Sequence, residues 1–220
     1  MIQAIMFDMD GVLIDARDWH YEALNKALAL FGFAISRFDH LSTYDGLPTR
    51  RKLEMLSVER GLPVELHGFI NEMKQQYTME IVHTCCKPRF AHEYALSKLA
   101  ARGLRLGVAS NSIRSTVDTM MAKARLAPYL QVTLSADDVV RPKPDPEIYQ
   151  LAMRRLGVVP AQTLVVEDNE HGVRAARACG AHVLVVKNPS ETNLDNIVAA
   201  IDHAERGLLA SVPAVLEVAA

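Results

Sequence analysis

Cysteine is scarce in this chain, with three in 220 residues and two of them adjacent as Cys85-Cys86. That number supports no disulfide framework, and no Cys-x-x-Cys pair suggests structural zinc, so the thiols are expected to be buried or half-buried fill. Basic residues do not gather anywhere and the net charge is only −2, which excludes an electrostatic footprint for nucleic acid or an anionic membrane. No uncharged apolar run reaches membrane-spanning length, and the chain enters a short apolar strand at Ile2 without a basic region or a small-residue cleavage site. The expectation is a cytoplasmic protein with neither nucleic acid nor membrane as partner. There is no internal repeat and no low-complexity tract, and nothing in the pattern decides how the Ala/Val-rich tail after Arg206 is held. The sequence leaves the oligomeric state open, with a monomer favoured.

What is present is apolar and regularly spaced: half of the residues are hydrophobic, enough for a substantial core. Five short runs rich in Val, Ile and Leu are predicted as strands buried on both faces: Ala4 to Asp8, Leu104 to Ser110, Val132 to Ser135, Thr163 to Glu167 and Val183 to Val186. Helical patterns lie between the later ones, at Ile113 to Ala124, Pro146 to Leu156 and Gly172 to Cys179, with Gly157 and Gly180 placed to terminate the last two. Strand alternating with helix predicts an α/β fold, a doubly wound parallel sheet of Rossmann-like type.

The alternation is interrupted once. From Ala16 to about Cys86 the chain shows helical periodicity and no comparable strand. One helix carries Ala23, Leu24, Ala27, Leu28 and Phe31 and stops at Gly32; another starts at Pro48 and stops at Gly61. The segment 16–86 is therefore expected to be an inserted helical cap domain, and 1–15 plus 87–220 the α/β core, with linkers at Val12 to Ala16 and Cys85 to Phe90.

Polar residues fall at or after the carboxyl ends of four predicted strands: Asp8 and Asp10, then Ser110-Asn111, then Lys143, then Glu167-Asp168. In open α/β sheets ligands bind beyond those ends. Each group alone has an ordinary reading, as a turn, a helix N-cap, a rigid loop or a charged helix start. Together, carboxylates suit a hard cation such as Mg²⁺, while lysine, serine and backbone N–H groups at helix starts suit a phosphate. The combination points to phosphoryl transfer. A calcium loop beginning at Asp8 is excluded, since it would need glycine at Leu13 and an acid at Trp19.

The four motifs Asp8-Met9-Asp10-Gly11-Val12, Ser110-Asn111, Lys143-Pro144 and Glu167-Asp168-Asn169-x-x-Gly172 resemble those of the haloacid dehalogenase-like hydrolase superfamily, in the branch with a helical cap after the first strand. The resemblance implies Asp8 as a nucleophile forming an aspartyl-phosphate and Asp10 as general acid and then base. It implies Ser110, Asn111 and Lys143 as phosphate holders, and a Mg²⁺ site of Asp8, Glu167, Asp168 and the backbone carbonyl of Asp10. In physical terms Asp8 must stay ionised, and Asp10, beside another carboxylate, is expected to be pushed toward its protonated form.

Two cap residues are candidates for meeting substrate: His20, which resembles a histidine of β-phosphoglucomutase-like members, and Arg50 in the loop Gly46-Leu47-Pro48-Thr49-Arg50. Ala16 and Asp45 depart from the mutase pattern, where threonine and lysine stand. A phosphatase for a small phosphorylated metabolite is therefore favoured, with a phosphosugar mutase second and a non-catalytic binding protein third. Dehalogenase chemistry is disfavoured because Asp10 is present. Phosphonate hydrolysis is disfavoured because it needs a Schiff-base lysine and nothing in the sequence marks Lys52 or Lys74 as desolvated.

Overall fold

The computed structural model describes residues 1–207, so the tail from residue 208 lies outside the described residues. All five expected strands are present: β1 (Ala4–Phe7), β2 (Arg105–Ala109), β3 (Val132–Leu134), β4 (Thr163–Glu167) and β5 (His182–Val185). They form one parallel sheet in the order β3-β2-β1-β4-β5. β1 is central, with Ala4 opposite both Arg105 and Thr163. The order reverses across β1 and β4, and such a reversal opens a crevice at the carboxyl edge.

The helical segment comes first in the chain: α1 (Arg17–Ala29), the single turn α2 (Arg37–Asp39) running into a wide turn at His40–Tyr44, α3 (Thr49–Arg60) and α4 (His67–Cys85). The remaining helices are α5 (Phe90–Ala101), α6 (Arg114–Lys123), α7 (Glu147–Leu156), α8 (Glu170–Ala178) and α9 (Leu194–Glu205). Strand residues divide by alternation. Ile5, Phe7, Leu106, Val108, Leu164 and Val166 pack with Leu96 and Leu99 of α5, Val117 and Met120 of α6 and Ile197 of α9. Ala4, Met6, Ala109 and Val165 face the other way, onto Ile148, Tyr149 and Ala152 of α7 and Ala175 and Ala176 of α8. Each fully buried aliphatic side chain contributes roughly 1.5–3 kcal/mol, so helices on both faces are what make a sheet of largely apolar strands stable.

The inserted helices bury a third cluster of their own, in which Leu24, Ala27 and Leu28 of α1 meet Leu53 and Leu56 of α3 and Ile70 of α4. Four details differ from expectation. Cys85, at the end of α4, is exposed, and only Cys86 and Cys179 are buried fill. β5 is only half-buried, and Val185 is exposed, because it is an edge strand with one neighbour. α8 begins at Glu170 rather than Gly172, since the Asn169 side chain accepts from the Gly172 N–H and caps the first turn. Pro48 sits just outside α3 instead of in its first turn.

Candidate active site

The four strand ends converge. Asp8 follows β1 and is 5% exposed; Glu167 ends β4 and is fully buried. Between them lies the Lys143 ammonium, donating to Asp8 Oδ1 at 2.7 Å, to Glu167 Oε1 at 2.6 Å and to the Ala109 carbonyl at 2.8 Å. All three of its protons are thus used. Burial opposes the charge on Lys143, but Asp8 and Glu167 outweigh it and hold its pKa above the ordinary value. Glu167 also accepts from the Tyr149 hydroxyl, and its second oxygen accepts from the Asp168 N–H at 3.2 Å. Tyr149 lies within the helical pattern expected over Pro146 to Leu156 and was not singled out there; its buried hydroxyl has found the partner such a group requires.

Asp8, Glu167 and Asp168 each bring a carboxylate oxygen within 4.8 Å of the others. Burial and the charge of Glu167 push Asp8 well above the usual carboxylate range. Burial and Glu167 likewise lift Asp168 to about 6. Three ionised carboxylates and one ammonium leave two negative charges, a remainder that a divalent cation matches. An all-oxygen donor set fits a hard ion such as Mg²⁺. Two glycines make room for these acids: a Cβ on Gly11 would lie 1.9 Å from Asp168 Oδ2, and one on Gly172 would lie 1.8 Å from Glu167 Oε1.

Asp10 reverses an expectation. Burial does raise its pKa, but His20, the Ser112 hydroxyl and Lys74 outweigh burial, so Asp10 is held below the ordinary value while Asp8 is raised. The reason is geometric. Asp10 Oδ2 accepts from Ser112 Oγ at 3.0 Å and lies 3.1 Å from His20 Nε2, outside hydrogen-bond geometry and charged only when His20, whose pKa burial lowers, is protonated. Its other oxygen, Oδ1, is buried without a partner among the described residues.

Ser110 is buried, and its hydroxyl accepts from the Ser112 N–H at 3.0 Å. Asn111 staples two loops: its amide donates to the carbonyls of Lys143 at 3.2 Å and Gly46 at 3.3 Å and accepts from the Lys143 N–H at 3.0 Å. That leaves the side chain little capacity for a ligand. Arg50 stands at the rim of the cavity, its side chain 90% exposed and paired with Glu54.

The helical segment closes over the strand ends and encloses a cavity of about 870 Å³ lined by Asp8, Asp10, His20, Lys52, Lys74 and Lys143 among others. Arg17, at the start of α1, crosses the cleft and pairs with Asp45 at 2.9 Å and Asp168 at 2.8 Å. His20, Lys52 and Lys74 come from α1, α3 and α4 respectively, with Lys74 Nζ 3.3 Å from His20 Nδ1. Burial pulls each lysine down to about 8. The absence of any mark of desolvation on these lysines was a property of the sequence alone; Lys52 follows Arg50 and Arg51 and looks like a solvated face until α3 is docked.

The family described as haloacid dehalogenase-like hydrolase matches residues 5–186. This chain belongs to it. Within the family, it is 31% identical over 182 residues to the phosphorylated carbohydrates phosphatase of Thermotoga maritima, covering 81% of this chain and 82% of that protein. It is 26% identical over 183 residues to the fructose-1-phosphate phosphatase YqaB of Escherichia coli, covering 83% and 95%. A crystal structure of β-phosphoglucomutase from Clostridium difficile shares the fold at a TM-score of 0.80 and 20% identity, covering 94% of this chain and all of that one. Among the described residues, no helix is long and apolar enough to cross a membrane.

Proposed function

We propose that this haloacid dehalogenase-like hydrolase is a Mg²⁺-dependent phosphatase that cleaves phosphoric monoesters of small phosphorylated metabolites through an aspartyl-phosphate on Asp8. The carrying observation is the buried Lys143 ammonium bridging Asp8 and Glu167, with Asp168 completing an acidic cluster beside it. Relatives named as phosphatases of phosphorylated carbohydrates and of fructose 1-phosphate support the substrate class. In this reading residues 16–86 are the cap domain and 1–15 plus 87–220 the catalytic core.

Asp8, Glu167, Asp168 and the Asp10 carbonyl would hold the Mg²⁺, which supplies positive charge that lowers repulsion between a carboxylate and a phosphate dianion. Lys143 opposes the burial that raises Asp8 and aims its carboxylate, and it offers its charge, as Ser110 offers its hydroxyl, to the phosphoryl oxygens. Asp8 attacks phosphorus and the ester oxygen leaves. Asp10, which lines the cavity and whose Oδ1 is unpartnered among the described residues, carries the proton for that oxygen. The incoming dianion is the like charge that raises Asp10 from its depressed resting state so that it binds a proton. Asp10 then takes a proton from the water that hydrolyses the aspartyl-phosphate. His20 beside Oδ2 holds the carboxylate in place, and the cap excludes bulk water during the first transfer.

Hydrolysis of p-nitrophenyl phosphate should require Mg²⁺, and Asp8→Asn should lose several orders of magnitude in kcat because an amide cannot form the intermediate. Substantial turnover by Asp8→Asn would remove Asp8 from that role. Following β-glucose 1-phosphate by ³¹P NMR separates the activities: free phosphate is expected, and accumulation of the 6-phosphate would make the protein a mutase.

A further inference from the structure

Lys52 and Lys74 are not used by the chemistry above, yet both project from the helical segment into the cavity that holds Asp8 and Asp10. Lys52 is 7% exposed. Among the described residues no carboxylate lies within ion-pair distance of either ammonium, and the one hydrogen bond between them is that of Lys74 to His20 Nδ1 at 3.3 Å. The nearby acids are directed elsewhere: Asp45 Oδ2 pairs with Arg17 at 2.9 Å, and Asp10 Oδ2 accepts from Ser112 at 3.0 Å. Two cations in one cavity, Lys52 buried and Lys74 half-buried, neither ion-paired among the described residues, are costly unless a ligand supplies negative charge.

We propose that the substrate carries a second anionic group, a carboxylate or a second phosphate, at the end away from the transferred phosphoryl group, and that Lys52 and Lys74 receive it. This rests on the phosphatase reading for the direction in which the substrate lies. Depressed to about 8, both lysines are still about nine-tenths protonated at pH 7. They therefore present mainly positive charge to a ligand. A cavity of about 870 Å³ is far larger than one phosphate requires and leaves space for a metabolite with two charged ends. Arg17 and Arg50 are less suited, the first already bound to two carboxylates and the second in solvent beside Glu54.

The test is calorimetric binding to the Asp8→Asn variant, which needs no turnover. Two matched pairs serve as probes: 3-phosphoglycerate against glycerol 3-phosphate for a carboxylate, and fructose 1,6-bisphosphate against fructose 1-phosphate for a phosphate. At least one pair should show about tenfold tighter binding of the doubly anionic member. Adding Lys52→Met or Lys74→Met should cut that ratio to about threefold or less, whereas Lys52→Arg, which keeps a cation, should retain most of it. Circular dichroism verifies that each variant is folded. Equal binding within both pairs, or a preference undiminished in both methionine variants, would overturn the proposal, as would borohydride trapping of an aldehyde ligand on Lys52. Wild-type turnover of p-nitrophenyl phosphate is scored separately. Its absence alongside an intact binding preference would reject the reaction and leave the anion site standing.

Discussion

Lys143 and Gly172 both bear on the Glu167 carboxylate. The ammonium draws Glu167 Oε1 to 2.6 Å, and the glycine leaves the space in which that oxygen sits, since a Cβ would come within 1.8 Å of it. Gly172→Ala should therefore displace Glu167 from Lys143 and Tyr149 and cost roughly 1–3 kcal/mol in stability, as overpacking of a tight site does. It should also raise the Mg²⁺ concentration needed for half-maximal activity, because the displaced oxygen belongs to the acidic cluster. Unfolding midpoints and a Mg²⁺ titration check both, and an alanine variant with wild-type values for each would show that the site yields freely. Asp8, Ser110, Lys143 and Glu167-Asp168 were legible in the sequence because each stands at the end of an apolar run or in a short polar motif. Ser112 was not. Its role depends on a turn after β2 that brings its hydroxyl to Asp10 Oδ2 at 3.0 Å, and a second serine in a loop carries no periodic signal.

Helix α1 begins with a residue that belongs to two parts of the molecule. Arg17 joins the loop before α3, through Asp45, to the carboxyl end of β4, through Asp168. The pairing with Asp168 offsets in part the burial that lifts this acid to about 6. A cation arriving at the acidic cluster must share Asp168 with that guanidinium. Arg17→Ala should consequently lower the Mg²⁺ concentration that half-saturates the enzyme by several-fold while loosening the cap, seen as a higher KM. Unchanged or weaker Mg²⁺ dependence would mean that Arg17 does not compete for Asp168. Elements were the most legible part of the chain: every strand was expected to within one residue at either end, since a parallel sheet covered on both faces demands unbroken apolar runs. The reversed order of the Asp8 and Asp10 pKa values was not legible, because it depends on which groups of α1 and α4 swing over β1. Sequence adjacency pointed to Asp8 as the neighbour that matters to Asp10; helices α1 and α4 supplied His20 and Lys74 instead.

Across the whole molecule, the buried lysines set stability against function. Lys52 has an ordinary pKa of 10.5 and is brought to about 8 by burial, so between those values the unfolded chain binds the proton and the folded one does not. Stability therefore rises with pH through that window, and at pH 7 the group opposes folding by roughly 3 kcal/mol. Lys52→Met should raise the Tm at pH 7 by several degrees and flatten the rise in stability between pH 8 and 10. A Tm equal to or below that of the wild type would show that the ammonium is compensated in the folded protein. A stabilised variant with impaired selectivity is the pattern expected of a residue retained for binding.

The position of β1 has a consequence for synthesis. The strand that carries Asp8 is the first made, yet it lies at the centre of the sheet, and its two neighbours begin only at Arg105 and Thr163. On the ribosome, the helices from Arg17 to Cys85 emerge before either neighbour exists, and their separate apolar cluster gives them something to fold around. β1 must wait, unpaired on both edges, while that body assembles beside it. Lys143 and Glu167 arrive later still, so the acidic site cannot form around Asp8 until Glu167 has been made.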